Sequence, residues 1–277
     1  MMKVELICFG NELLIGKTVN TNAHWLGRQI TSLGGEVVRI TTGHDEKKQM
    51  VEILREAITR QPDIIITTGG LGPTFDDMTL QAVAEAVNSE LELNEQAFQM
   101  IQERLEYLKD EKGIEIELTE EREQMAMLPK NAQPLKNHAG SAPGVFIEYN
   151  NIKLFSLPGV PREMKSIFTE EVMDIFPKSE DLQYYEEQFL VRHVPESELA
   201  AAIAPIRKKH PTVYIKTHPK TPSTSKKGFI QVEIHITSLC LEKDKKHVSK
   251  ATKEIRSKIS NLRGVTGEKP KILPVNT

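Results

Sequence analysis

Three glycines and two adjacent carboxylates fall between Gly69 and Asp77 of this chain, in the run Thr68-Gly69-Gly70-Leu71-Gly72-Pro73-Thr74-Phe75-Asp76-Asp77-Met78-Thr79. Glycine admits positive φ and lets a ligand approach backbone N–H groups closely. A helix starting just downstream adds unpaired N–H donors and the positive end of a dipole. Together these features suit a phosphate or another anion. The carboxylates of Asp76 and Asp77 do not suit a bare anion. They make chemical sense if a divalent cation joins the phosphates, or if one of them acts as a base. The plainer alternative is a tight turn closed by an aspartate N-cap.

Other residues invite chemistry less strongly. Gly10-Asn11-Glu12-Leu13-Leu14-Ile15-Gly16-Lys17-Thr18 ends like a P-loop. A P-loop has four residues between its glycines and here there are five, so an NTPase of that class is not expected. His24 and His138 lack a His-x-x-x-His or Cys-His companion, so neither is expected to hold zinc. His24 reads as a surface or packing residue, whereas His138 precedes a glycine loop and is better placed to reach a ligand. Asp45 stands between a strand and a helix, where aspartate is a common cap.

The elements that must position these residues alternate. Residues 3–9 read as a strand, 22–33 as a helix with Leu26, Ile30 and Leu33 on one face, and 37–41 as a strand. A helix over 47–59 carries Met50, Ile53, Leu54, Ala57 and Ile58. The short apolar run between Pro62 and the glycine cluster is a buried strand leading into the glycine loop, and Leu80, Val83, Ala84 and Val87 mark the helix after it. A long helix follows over 95–109. Residues 145–149 and 152–157 form a hairpin turned by Asn150-Asn151, since asparagine tolerates positive φ. Pro161 opens a further helix. Repeated β-α units imply an α/β fold with a mainly parallel sheet and helices on both faces. Ligands of such sheets sit beyond the carboxyl ends of the strands. A polar stretch at 177–181 reads as a domain boundary. Beyond it the pattern is strand, helix, strand, strand, helix, with an alternating strand over 229–237 and an amphipathic helix over 244–262. The expected organisation is therefore a three-layer α/β/α domain over 1–176, a small α+β second domain over 182–264, and a tail over 265–277.

Four motifs in order carry a resemblance to a known family. Thr68–Thr74 with Asp76-Asp77-Met78-Thr79 is similar to the signature of the molybdopterin-binding, molybdenum-cofactor-biosynthesis fold, and resembles in particular the amino-terminal domain of CinA-type (competence/damage-inducible) proteins. Gly10–Lys17 with Thr21-Asn22 resembles that family's first loop, Gly140-Ser141-Ala142-Pro143-Gly144 its second glycine loop, and Leu157-Pro158-Gly159-Val160-Pro161-Arg162-Glu163-Met164 its third. The resemblance implies a ligand site made by Asn11, Glu12, Asn20, Asn22, Thr68, Gly69, Gly70, Leu71, Gly72, Pro73, Thr74, Ser141, Ala142, Pro143, Gly144, Pro158, Gly159, Val160 and Pro161. It places Asp45 opposite Asp77 as the catalytic pair, and Asp45, Asp76 and Asp77 as holders of a divalent ion (Mg, Mn or Co, with potassium as a possible companion). The N–H groups of residues 69–74 would cradle a pyrophosphate. Two chemistries are implied. One is hydrolysis of ADP-ribose to AMP and ribose 5-phosphate, an ADP-ribose pyrophosphatase. The other is binding of a nucleotide or molybdopterin, with or without adenylyl transfer. Longer relatives append a nicotinamide-mononucleotide amidohydrolase domain, an activity not expected here. The second domain resembles a KH-type module without its Gly-x-x-Gly loop, so no specific nucleic acid partner is expected.

Composition agrees with an ordinary globular enzyme. The 277 residues are 39% hydrophobic and 27% charged, with a net charge of −3. That balance argues against whole-chain nucleic-acid binding. No apolar run is long enough to span a membrane. Two cysteines, Cys8 and Cys240, give neither a disulfide framework nor a zinc spacing, and suggest a reducing, cytoplasmic setting. A homodimer or other homo-oligomer is expected.

Overall fold

The computed structural model describes residues 2–176, 182–220, 230–241, 245–264 and 267–275. The chain divides into two compact units, residues 1–178 and 179–277. The expected boundary at 177–181, residues 221–229 and residues 242–244 lie outside the described residues.

The first unit runs β1 (Lys3–Phe9), α1 (Asn11–Leu14), α2 (Thr21–Ser32), β2 (Glu36–Gly43), α3 (Lys47–Thr59), β3 (Ile64–Thr68), α4 (Thr79–Ala86), β4 (Leu91–Leu93), α5 (Glu95–Lys112), α6 (Glu120–Glu123), β5 (Met127–Pro129), β6 (Gln133–Leu135), β7 (Gly144–Tyr149), β8 (Ile152–Leu157) and α7 (Pro161–Ile167). The six-stranded sheet has the order β2-β1-β3-β8-β7-β6. β2, β1, β3 and β8 are parallel, and β7 is antiparallel to both its neighbours.

Strand alternation builds the layers, because successive side chains point to opposite faces. Val4, Leu6, Ile64, Ile66, Phe155 and Leu157 pack with Leu26 of α2 and Met164 of α7. Ile7, Phe9, Ile65 and Leu154 pack on the other face with Met50 and Leu54 of α3, Val83 of α4 and Ile101 of α5. Each such buried aliphatic side chain contributes roughly 1.5–3 kcal/mol. Glu5 sits in this apolar run buried, at 2% exposure. Arg60, just past α3, donates to it through Nε and Nη2, both at 2.7 Å. The bidentate geometry is what permits a charge there.

Local signals set the element ends. Asn20 caps α2 by accepting from Ala23 N at 2.9 Å, and Asn94 caps α5 in the same way through Ala97 N. Asn150 and Asn151 adopt φ of 50° and 66°, the twin positive values of a two-residue hairpin turn.

The second unit holds β9 (Leu182–Arg192), α8 (Glu196–Lys209), β10 (Tyr214–Lys220), β11 (Gln231–Leu241), α9 (Lys246–Ser260) and β12 (Lys271–Pro274). Its antiparallel sheet has the order β10-β11-β9-β12. Residues such as Phe189, Ile234, Leu199, Ile203, Ala251 and Ile255 form the core shared with both helices. The expected tail is corrected here, since β12 pairs with β9 from Lys271 opposite Arg192 to Pro274 opposite Phe189. Its proline is tolerable because β12 is an edge strand.

Candidate ligand site at the carboxyl edge of the sheet

The loops that follow β1, β3 and β8 meet at one edge of the sheet. Gly69 takes φ of 103° and Gly70 of 66°, both in the left-handed region. A Cβ on Gly69 would stand 2.4 Å from the Phe9 carbonyl oxygen, so no other residue fits. Gly69 N donates to Leu157 O at 3.0 Å, tying the β3 loop to the end of β8. Thr79, at the start of α4, donates its hydroxyl to Gly69 O and its N–H to Gly70 O. Asn22 of α2 donates through Nδ2 to Gly159 O at 2.8 Å.

The expected cradle over 69–74 is therefore narrower than the sequence suggested. Gly69 N is spent on the sheet, Thr74 N donates to Asp77 Oδ2 at 2.9 Å, and proline has no N–H. The N–H groups of Gly70, Leu71 and Gly72 donate to no acceptor among the described residues. Consecutive unengaged N–H donors that follow the positive-φ pair Gly69-Gly70 are of the kind that backbone anion sites use.

The carboxylates gather beside it. Asp45 Oδ2 accepts from Asn11 N at 2.8 Å, and Asn11 Oδ1 meets His44 Nδ1 at 2.8 Å. Burial pushes the Asp45 carboxyl above its ordinary range. The Asn11 N–H works the other way, and the negative charges of Glu12, Asp76 and Asp77 add to the rise. The Thr74 hydroxyl lies 2.5 Å from both Asp76 Oδ1 and Asp77 Oδ2. It has one proton, so it can serve only one of them at a time. This crowding fits a cation. Among the described residues, however, no three Asp, Glu, His or Cys side chains converge closely enough to hold a metal ion by themselves. A divalent ion here would complete its shell with ligand oxygens and water, as Mg²⁺ commonly does.

The cap alternative fails for these aspartates. α3 is preceded by Glu46 and α4 by Met78, neither with a side-chain cap, and Asp77 instead closes a turn onto Thr74. Glu12, Asn20, Asn22, Thr68, Gly159 and Pro161 line one cleft together with Phe9. Ser141 and Pro143 do not join it and line a separate cavity against α5. Leu71 and Ala142 are buried in the core, so only their backbone can meet a ligand. Gly144 starts β7, where a Cβ would press on Ile167. Pro158 is buried at the end of β8, and Val160 is exposed beside α7. Sequence reading missed three organisers: His44 beside Asn11, and Asn137 with Glu163. Asn137 Oδ1 accepts from Ala139 N and Gly140 N, and its Nδ2 donates to Ala142 O and Glu163 Oε2. The Asn two to three places before the Ala139 and Gly140 N–H groups was the available signal, an Asx-type turn.

One stability effect follows from Asp45. A carboxyl whose folded value is raised binds its proton more tightly in the folded state. Its destabilisation is complete above the raised value and vanishes below the ordinary Asp value near about 3.9. Asp45→Asn still offers Asn11 an acceptor. It should raise the melting temperature of the ligand-free protein at neutral pH, with the gain fading as pH falls through the acid range. Thermal melts across pH check this, and a gain that does not shrink in acid would contradict it.

Residues 5–178 match the family described as probable molybdopterin binding domain. A protein of Sulfurisphaera tokodaii is 43% identical over 252 residues, 91% of this chain and 93% of that one. One of Saccharolobus solfataricus is 41% identical over 261 residues, 94% of this chain and 93% of its own length. The crystal structure of the protein CinA from Thermoplasma acidophilum, described as of unknown function, is 35% identical. It is similar with a TM-score of 0.57 over 63% of this chain and 99% of its own. The chain thus belongs to the probable molybdopterin-binding domain family, among its CinA-like members.

Proposed function

We propose that the first unit binds a phosphorylated heterocycle, a nucleotide or a pterin, at the carboxyl edge of its sheet. The observation that supports this reading most is the run of three unengaged N–H groups, Gly70 to Gly72, beside the carboxylate of Asp77 and near those of Asp45 and Asp76. Backbone donors would hold the phosphates. Asp45, Asp76 and Asp77 would share a divalent ion (Mg, Mn or Co, with potassium as a companion) with phosphate oxygens, neutralising their charge. Membership of a probable molybdopterin-binding family favours a pterin or nucleotide as the ligand class.

A second reading, hydrolysis of ADP-ribose, draws support from the same acids. A water oxygen would bond to one phosphorus while the bridging P–O bond breaks, giving AMP and ribose 5-phosphate. Asp45 or Asp77 would take the water's proton. A homodimer in the cytoplasm and a KH-type second unit without RNA specificity complete the proposal.

Calorimetric titration of the full chain with ADP, ADP-ribose and a phosphorylated pterin, in Mg²⁺, Mn²⁺ or Co²⁺ and in EDTA, tests it. Metal-dependent binding of at least one is expected, and release of AMP from ADP-ribose would select the hydrolytic reading. Absence of binding by all three compounds would refute both.

A further inference from the structure

The second cavity of the first unit is lined by more cations than acids. It encloses about 350 Å³ between α5 and the turn of residues 136–143, within the size range of small-ligand pockets. It shares no lining residue with the cleft of Glu12, Asn22 and Thr68. Its walls carry Arg104, Lys136 and His138 with one acid, Glu103, and also Tyr107, Met100 and Pro143.

Arg104 is the fixed point. Its guanidinium carbon lies 5.2 Å from the centre of the Tyr107 ring, and Nη1 donates to His138 O at 3.2 Å. Its Nε is buried and meets no acceptor among the described residues. Buried donors are nearly always paired, so an unpaired guanidinium N–H asks for an oxygen. Lys136 is about half exposed and pairs loosely with Glu103 of the same wall lining at 3.8 Å, and His138 stands 3.2 Å from Glu170. The Ser141 hydroxyl and N–H have no hydrogen-bond partner among the described residues. Asn137 holds the turn in place from inside.

We propose that this cavity is a metal-independent subsite for a phosphate monoester, anchored by Arg104 and assisted by Lys136 and Ser141. A guanidinium offers the paired donors that phosphate oxygens favour, and the Lys136 ammonium adds charge without a divalent ion. Met100 and Pro143 leave room for an apolar or planar group attached to that phosphate. The subsite goes beyond the reading above, because it needs neither the acids nor the Gly70–Gly72 donors.

The test is titration of the full chain, in EDTA, with inorganic phosphate, AMP and adenosine. The wild-type protein should bind AMP, with adenosine weaker by about tenfold or more, since a charged hydrogen bond is worth that much. Comparable binding of inorganic phosphate would make the ester's organic part dispensable and keep the anion site. Arg104→Met should weaken AMP by about tenfold or more yet keep Mg²⁺-dependent ADP binding. If Arg104→Met does not fold by circular dichroism, Lys136→Met takes its place, with a smaller loss. Equal AMP affinity in wild type and the folded variant, or no AMP or phosphate binding by wild type in EDTA, would overturn the proposal. Loss of metal-dependent binding alone would count against the proposed function and leave this subsite standing.

Discussion

Replacing Asp77 with alanine should cut metal-dependent ligand binding about a hundredfold, because even outer-shell partners of a metal ion are worth 10–100-fold. The fold should survive. In the protein the carboxylate accepts from the Thr74 N–H and hydroxyl, and its loss removes hydrogen bonds worth about 1 kcal/mol each. The turn that presents Gly70 to Gly72 is separately held by Thr79, whose hydroxyl and N–H bond Gly69 and Gly70. Binding and stability are therefore expected to part company. Calorimetry at saturating Mg²⁺ measures the first and thermal melting the second. Unchanged affinity with a normal melt would remove Asp77 from the site, whereas a large drop in melting temperature would recast it as a scaffold residue.

Arg60→Met should destabilise the protein by about 3 kcal/mol, the range found when one partner of a buried ion pair is removed. Glu5 would be left charged at 2% exposure with neither of its two 2.7 Å donors. The Arg60–Glu56 contact, at 3.9 Å and well exposed, adds little of its own. For a unit of this size the loss corresponds to a fall of roughly 6–12 °C in melting temperature. The double variant Glu5→Leu with Arg60→Met should recover most of it, because an apolar pair of similar volume removes the stranded charge. Urea unfolding of the wild type and the two variants decides the matter. A single Arg60→Met as stable as the wild type would mean that water reaches Glu5 in solution.

The long elements were legible because each repeats an apolar period over several turns. α2, α3, α5 and the strands β1, β3, β7 and β8 all carry such a stripe. The two-asparagine hairpin was legible because its turn has a single stereochemical solution. Short pieces were not. α1, α6, the β4–β5 pair and β12 span three or four residues, and long-range partners rather than local pattern fix them. The same distinction governs the site. The glycine loop announced its own conformation, but which of its N–H groups stay unengaged depends on Leu157, far away in sequence. Asp45 reads locally as a cap and is instead claimed by Asn11, 34 residues earlier. Ser141 and Pro143 belong to a motif that resembles the family's second glycine loop, yet Asn137 turns them toward α5.

The loops after β3 and β8 approach glycine to glycine: a Cβ on Gly159 would lie 3.3 Å from Gly69 Cα, and Gly69 N is bonded to Leu157 O. For anyone transplanting specificity between relatives, these two loops are one cassette. A loop grafted after β3 without its companion after β8 would meet a neighbour shaped for a different backbone path. Substitutions placed one in each loop should show strong coupling, as contacting sites do, rather than summing independently.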